Sequence, residues 1–271
     1  MLVNTASIIY FSATGTTKRI LDEILEGMEI EKRNIIDLSK KIYPGESKIV
    51  INEDIIIIGA PIHYNKIPKL ILPALNSLKA KGQPVFLVTV YGNVNKGIGL
   101  RELYEISENI GCQVIGGANF IAEHSLSHET YEIAHGRPDI DDLKVARSLG
   151  KKIIETLASC DSIENVPKHS FSEKLGFFSR MFSNIGIKFI SKQPKIDKLL
   201  CKNCKICVEI CPTNAIDFDS LEINENNCIR CFACAKNCPN DARKIELKMK
   251  SMIKFYFKKA HVMRREPEIF F

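Results

Sequence analysis

A chain of 271 residues has room for one large domain or two modest ones, and its 45% hydrophobic and 26% charged residues are those of an ordinary soluble globular protein. Its longest uncharged run, Met1 to Thr17, is broken by Asn4, Thr5, Ser7, Ser12, Thr14 and Thr16 and lacks the basic leader and long apolar core of a signal peptide. It reads as a strand and a loop, so no transmembrane segment and a cytoplasmic location are expected; the formal net charge of +6 comes with no nucleic-acid-reading motif, and no nucleic-acid partner is expected.

In chain order, Ser7 to Phe11 (SIIYF) is a short apolar run suited to a buried parallel strand. Ser12-Ala13-Thr14-Gly15-Thr16-Thr17 follows, and then Leu21, Ile24, Leu25 and Met28 fall on one helical face. Strand, hydroxyl-rich turn and helix make a phosphate cradle: the helix start offers unpaired N–H groups and a positive dipole end, the hydroxyls add donors, and Gly15 lets the backbone approach an anion. The turn lacks the G-K-[ST] ending of a P-loop and the G-x-G-x-x-G of a dinucleotide turn.

Asn34 to Leu38 (NIIDL) reads as a second strand and Asp54 to Ala60 (DIIIIGA) as a third, central one. The loop Pro61-Ile62-His63-Tyr64-Asn65 follows, then a helix from about Lys69 to Lys81. Pro84 to Tyr91 is a fourth strand ending in Tyr91-Gly92-Asn93; Leu100, Leu103, Ser107 and Ile110 mark the next helix. Gln113 to Glu123 contains a fifth strand, and Leu143, Ala146, Gly150, Ile153 and Leu157 form the stripe of a closing helix. Alternating strands and helices predict a doubly wound parallel sheet. Gly97-Ile98-Gly99 lacks the third glycine of a dinucleotide fingerprint and reads as a plain helix start. His63 is expected to matter for its backbone, and His124, His128 and His135 read as solvated loop residues.

The polar stretch Ser159 to Lys168 has a linker's composition. Beyond it Phe171, Leu175, Phe178, Phe182, Ile185 and Phe189 recur at helical spacing, which predicts an amphipathic helix packing between domains, with a membrane-surface helix as the alternative. Then C-x₂-C-x₂-C-x₃-C-P occurs twice, Cys201, Cys204, Cys207, Cys211 and Pro212 mapping at one constant offset onto Cys228, Cys231, Cys234, Cys238 and Pro239: an internal duplication. Zinc sites use paired C-x₂-C separated by a long gap, and a disulfide framework needs an oxidising compartment; neither suits this pattern. Cys112 and Cys160 lack ligand-like spacing and read as small, at least partly buried apolar residues. From Lys244 to Arg265 the chain is basic, with Phe255, Tyr256 and Phe257 as an aromatic anchor.

The turn at residues 12–17 resembles that of the flavodoxin family, and the cysteine block resembles the bacterial two-cluster ferredoxins. The first resemblance implies a flavodoxin-like five-stranded parallel sheet in the order 2-1-3-4-5, with FMN where strands 1 and 3 diverge. On it, Ser12, Thr14, Gly15, Thr16 and Thr17 bind the phosphate, while Pro61, Ile62, His63, Tyr64 and Asn65, with Tyr91, Gly92 and Asn93, flank the ring; Tyr64 or Tyr91 would stack on it. The second implies an α+β module with two 4Fe–4S clusters, the fourth cysteine of each run ligating the other cluster. One cluster takes Cys201, Cys204, Cys207 and Cys238, the other Cys211, Cys228, Cys231 and Cys234. A departure from that family is Lys205, with Phe232 in the repeat, where glycine is common. Such cofactors carry negative charge and bring the loaded protein near neutrality.

The expected organisation is a flavodoxin-like domain over 1–160, a linker over 161–195, a ferredoxin domain over 196–248 and a basic tail over 249–271. Over about residues 1–248 the chain resembles the EFR-type flavodoxin–ferredoxin fusion proteins, which implies electron transfer without naming a reaction. The leading reading is a relay between the clusters and FMN, serving a redox partner protein (a ferredoxin, flavodoxin or oxidoreductase), with a flavin-dependent oxidoreductase acting on a small-molecule acceptor as its enzymatic form. A non-catalytic electron carrier is the alternative, and an iron–sulfur redox sensor the third.

Overall fold

The computed structural model describes residues 1–40, 48–127, 132–176, 190–248 and 263–271. Its main sheet is built from β1 (Thr5–Tyr10), β2 (Lys32–Asp37), β4 (Ile55–Pro61), β6 (Pro84–Tyr91) and β7 (Gln113–Ile121), which pair in parallel. Taken in chain order, these five strands lie 2-1-3-4-5 across the sheet. Two pairs of helices cover its faces: α1 (Thr16–Met28) with α4 (Ile140–Ala158), and α2 (Leu72–Asn76) with α3 (Gly99–Asn109).

Burial on both faces explains why β4 is four isoleucines in a row. Ile55 and Ile57 pack with Ile24, Ala146 and Ile153 of the first helix pair, while Ile56 and Ile58 pack with Leu75, Leu100 and Leu103 of the second. The pleat sends alternate side chains to opposite faces, so a strand covered twice has no position that tolerates a polar residue. On the first face the cover is unusually close: a Cβ on Gly150 would stand 2.0 Å from Ile24 O, and one on Gly27 1.9 Å from Arg147 O. Backbone, not a movable side chain, occupies that space. Gly150→Val should therefore force α1 and α4 apart and cost about 3 kcal/mol, read as a lower urea midpoint; an unchanged midpoint would mean that the helices separate freely.

Three parts differ from the sequence expectation. The helix predicted over Lys69 to Lys81 is shorter: a single tight turn at Lys69–Ile71 leads into α2, and the chain then straightens into β5 (Leu78–Lys79). Leu78 is drawn out of the helix because it pairs with Ile49 of β3 (Ile49–Val50) and is buried there. Phe171 lies on no helix; residues 171–176 are irregular and Phe171 is buried against the rings of Tyr104 and Phe270. Phe178, Phe182, Ile185 and Phe189 lie outside the described residues, as do His128 and Phe255 to Phe257.

The third difference is a sixth strand, β10 (Glu268–Phe270), which runs antiparallel beside β7 with Glu268 opposite Asn119. The returning chain is fastened on its way. Arg264 pairs with Asp139 at 2.6 Å, Asn93 Nδ2 donates to Met263 O at 2.7 Å, and Arg137 Nη1 donates to Arg265 O at 2.6 Å. Arg137 is itself held by the buried carboxylate of Asp142. The segment 196–248 is thus bracketed on both sides by chain that belongs to the first sheet.

That segment repeats its own backbone. Asn203, Lys205 and Asn214 take left-handed φ values of 54, 63 and 48°, and their counterparts Arg230, Phe232 and Asp241 take 55, 60 and 48°. Lys205 and Phe232 cap matching short helices, α5 (Ile206–Glu209) and α6 (Ala233–Lys236). The halves exchange equivalent hydrogen bonds, Asp197 N to Ala242 O and Asn224 N to Ala215 O, both 2.7 Å. The first of these adjoins the pairing of β8 (Lys195–Ile196) with β9 (Arg243–Lys244). Among the described residues no helix is long and apolar enough to cross a membrane.

Candidate electron-transfer site

Three hollows hold the residues that the sequence singles out. The largest, of about 490 Å³ with its open mouth, lies at the carboxyl ends of β1, β4, β6 and β7. Its floor is the turn before α1. Gly15 caps the helix at φ 83°, where glycine is unstrained, and offers no side chain; the first helical turn holds no acidic residue. Ser12 is fixed from both sides: its N–H donates to Ser39 Oγ at 2.7 Å, and its hydroxyl accepts from Lys18 N at 3.0 Å. Thr17 lines the hollow, is 1% exposed, and its hydroxyl has no hydrogen-bond partner. A buried hydroxyl without a partner costs free energy unless something accepts from it. A positive helix end, two threonines and that hydroxyl therefore fit the phosphate of FMN.

Of the residues assigned to FMN by resemblance, Ser12, Thr14, Thr16, Thr17, Pro61, Ile62, His63, Tyr91 and Gly92 line this hollow. Gly15, Tyr64, Asn65 and Asn93 do not. Tyr64 and Asn65, with φ 54 and 66°, form a two-residue turn closed by His63 N to Lys66 O at 2.7 Å. That turn carries Tyr64 away from the hollow, into an apolar cluster with Leu126, Ile133, Phe232 and Leu247. Asn65 O instead accepts from Ile98 N at 2.8 Å, and Asn93 holds the returning tail. Tyr91 stays at the hollow, 4% exposed, with burial raising its phenol pKa and the hydrogen bond from Arg265 opposing this.

The remaining wall comes from residues outside that assignment. Ala122, Glu123, His124 and Ser125 follow β7, and Cys231 comes from the second module. His124 is no solvated loop residue, because Gly92 makes room for it: a Cβ there would lie 2.4 Å from the imidazole. His135, by contrast, is exposed and pairs with Glu123 at 3.3 Å. His63 and His124 line the hollow, are half-buried, and burial pushes each down to about 4. Both rings are neutral near pH 7, and His124 Nδ1 accepts from Leu126 N at 3.1 Å, so its proton is on Nε2. Unfolded chains protonate histidine near pH 6.5, so stability should fall as pH drops from about 6.5 toward 4. In urea titrations between about pH 7 and pH 5 the His63→Gln, His124→Gln double variant should lose much of that slope; an undiminished slope assigns it elsewhere.

The two smaller hollows divide the cysteines. Cys201, Cys204, Cys207 and Cys238 line one of about 350 Å³, and Cys211, Cys228, Cys231 and Cys234 line another of about 340 Å³. Each draws three cysteines from one repeat and the fourth from the other. Among the described residues no trio of side chains converges on a single metal ion. Thiols spread around a cavity fit a polynuclear cluster better than a lone cation. Of the two remaining cysteines, Cys112 is buried with its thiol pushed up to about 12 by burial, and Cys160 is half-buried.

The modules meet through Phe232 and through Lys236, whose ammonium reaches Glu123 at 2.6 Å and donates to Ser127 O at 2.7 Å. Cys231 therefore lines both its own hollow and the larger one.

Comparison with known proteins agrees with this division. Residues 7–96 match the family model described as a flavodoxin domain, and residues 200–242 match that of a 4Fe-4S dicluster domain. The chain is 31% identical over 94 residues to an uncharacterized ferredoxin of Methanocaldococcus jannaschii, a match covering 33% of this chain and 51% of the relative. It is 39% identical over 54 residues to pyruvate synthase subunit PorD of Methanothermobacter marburgensis, covering 20% of this chain and 65% of that one. The chain thus spans about half to two thirds of the length of the curated relatives it matches. Among solved structures, a Fusobacterium nucleatum flavodoxin bound to flavin mononucleotide is 19% identical, with a TM-score of 0.39, over 57% of this chain and 97% of its own. The chain joins a flavodoxin domain to a 4Fe-4S dicluster domain in one polypeptide. The cofactors its residues fit are FMN and two 4Fe–4S clusters.

Proposed function

We propose that the chain is an intramolecular electron relay, in which a redox partner protein exchanges electrons with the clusters and the flavin is the point of two-electron coupling. The observation that carries this reading is Cys231, which lines both the hollow of the second cysteine set and the hollow floored by Ser12 and Thr17. When bound, FMN exchanges two electrons and each cluster one. The chain's own contribution is positional. Ser12, Thr16 and Thr17 hold the phosphate; Cys201, Cys204, Cys207 and Cys238 hold one cluster, and Cys211, Cys228, Cys231 and Cys234 the other. Lys236 on Glu123 and Ser127 keeps the second set against the flavin wall.

The test is anaerobic purification with flavin, iron and sulfide assays, followed by rapid mixing with a reduced low-potential ferredoxin. Flavin reduction following cluster reduction supports the relay. Flavin that stays oxidised while the clusters reduce ends it. A catalytic form of this reading, reduction of a small acceptor at the flavin, is favoured by the two imidazoles at the hollow, which can hydrogen-bond to a bound acceptor. Turnover with a quinone or nitro compound that falls in the His124→Gln variant supports it; no turnover leaves a carrier.

A further inference from the structure

We propose that the two clusters rest at unequal potentials, set by three cations that break the duplication: the cluster on Cys201, Cys204, Cys207 and Cys238 accepts an electron first, and the one beside the flavin accepts it last. This rests on the ligand sets proposed above.

The duplication supplies the control. Matched backbone angles and exchanged hydrogen bonds make the two hollows equivalent in shape, and their sulfurs receive the same principal hydrogen bond. Ala242 N donates to Cys238 Sγ and Ala215 N to Cys211 Sγ, each at 3.2 Å. Geometry and this bond, two of the usual determinants of cluster potential, are therefore matched; the unmatched sulfur contacts are Asn203 N to Cys201 Sγ at 3.4 Å in the first set and Thr213 Oγ1 to Cys211 Sγ at 3.7 Å and Ala233 N to Cys231 in the second.

Charge is not cancelled. At three positions that line both hollows the repeats differ in kind. Lys202 stands where the other repeat has Ile229, Lys205 where it has Phe232, and Arg243 where it has Ile216. All three cations line the first hollow and no charged side chain lines the second, although the Arg243 charge also reaches Cys234 of the second set. Arg243 is the strongest of them. It is 5% exposed, its described partners are the carbonyl oxygens of Pro194 and Leu221, and its Nε has no hydrogen-bond partner. Among the described residues it pairs with no carboxylate. A buried guanidinium is costly unless an anion answers it, and an oxidised 4Fe–4S cube with four thiolates, of charge about −2, is that anion. Lys205 is fixed by its bond to Phe218 O and by the Phe218 ring 4.6 Å away, whereas Lys202 is exposed and more fully screened.

Reduction adds one negative charge to a cluster, and a neighbouring fixed cation stabilises that form. The Arg243 side therefore takes the first electron from an external low-potential redox protein, and exposure of Cys204 acts in the same direction. The apolar side, which shares Cys231 with the flavin hollow, fills only after it. An electron parked beside Arg243 waits until a second arrives, and the pair then matches a two-electron acceptor.

The experiment is a redox titration of the anaerobic holoprotein followed by paramagnetic resonance, after iron and sulfide assays show both clusters present. Two separated one-electron steps are expected. Arg243→Ile should move the higher step down by more than the lower, since its charge also reaches Cys234; Lys205→Phe should lower the higher step alone and Lys202→Ile should do so by less. The lysine variants place at partly or fully exposed positions the residues the other repeat carries, so they serve if Arg243→Ile fails to fold. Coincident steps in the unaltered protein overturn the inference, and so do variants that move only the lower step or neither. Absence of clusters would instead remove the reading on which it rests.

Discussion

Cys211→Ser protein prepared without oxygen should keep the cluster of the first cysteine run and lose that of the second. In sequence Cys211 follows Cys207 closely, so a local reading predicts damage to its own run. In space it shares a hollow with Cys228, Cys231 and Cys234 instead. The loss of one ligand in four should reduce iron to about half. Peptide mapping after alkylation should then find Cys228, Cys231 and Cys234 reactive and Cys201, Cys204 and Cys207 protected. Cys238→Ser should give the mirror result, because Cys238 lines the first hollow. Reactivity confined to Cys201, Cys204 and Cys207 in the Cys211 variant would defeat the crossed assignment.

Thr17→Val should weaken FMN binding by about 10- to 100-fold, the worth of one hydrogen bond to a charged group. The substitution conserves shape, and its site is already dehydrated, with Thr17 1% exposed and its hydroxyl without a partner. Removing the hydroxyl therefore relieves an unsatisfied donor in the empty protein. It should not lower the urea midpoint of flavin-free protein, while it removes a contact that exists only with phosphate bound. Quenching of flavin fluorescence on titration measures the change. An affinity within twofold of the unaltered protein would mean that the hydroxyl never meets the ligand.

How much of this was legible beforehand depended on whether a local rule decided it. Ile55 to Ile58 announce a strand covered on both faces, and the spacing of eight cysteines announces two cofactor sets, because in each case neighbouring residues carry the constraint. Glu268-Ile269-Phe270 announces nothing: three residues have no period, and their strand exists only because β7 presents an unpaired edge. The stacking role considered for Tyr64 was decided by backbone angles at Tyr64 and Asn65, two residues that accept positive φ without being glycine. His124 reads from the sequence as a solvated loop residue, because its inward position depends on the missing side chain of Gly92, distant in sequence. Lys205 and Phe232 were visible as a departure from glycine; that they stand at one equivalent left-handed position, one charged and one apolar, needed the fold.

The pairing of Glu268–Phe270 with β7 has a kinetic meaning. Since both ends of the cluster-bearing segment return to one sheet, its encounter with the flavin wall is a first-order event, indifferent to dilution. The local concentration of a doubly tethered partner is set by geometry alone. On the proposed relay, a free ferredoxin added to the solution would compete for the outer surface but not for the inner seat, and a collision between two carriers would become a fixed wire.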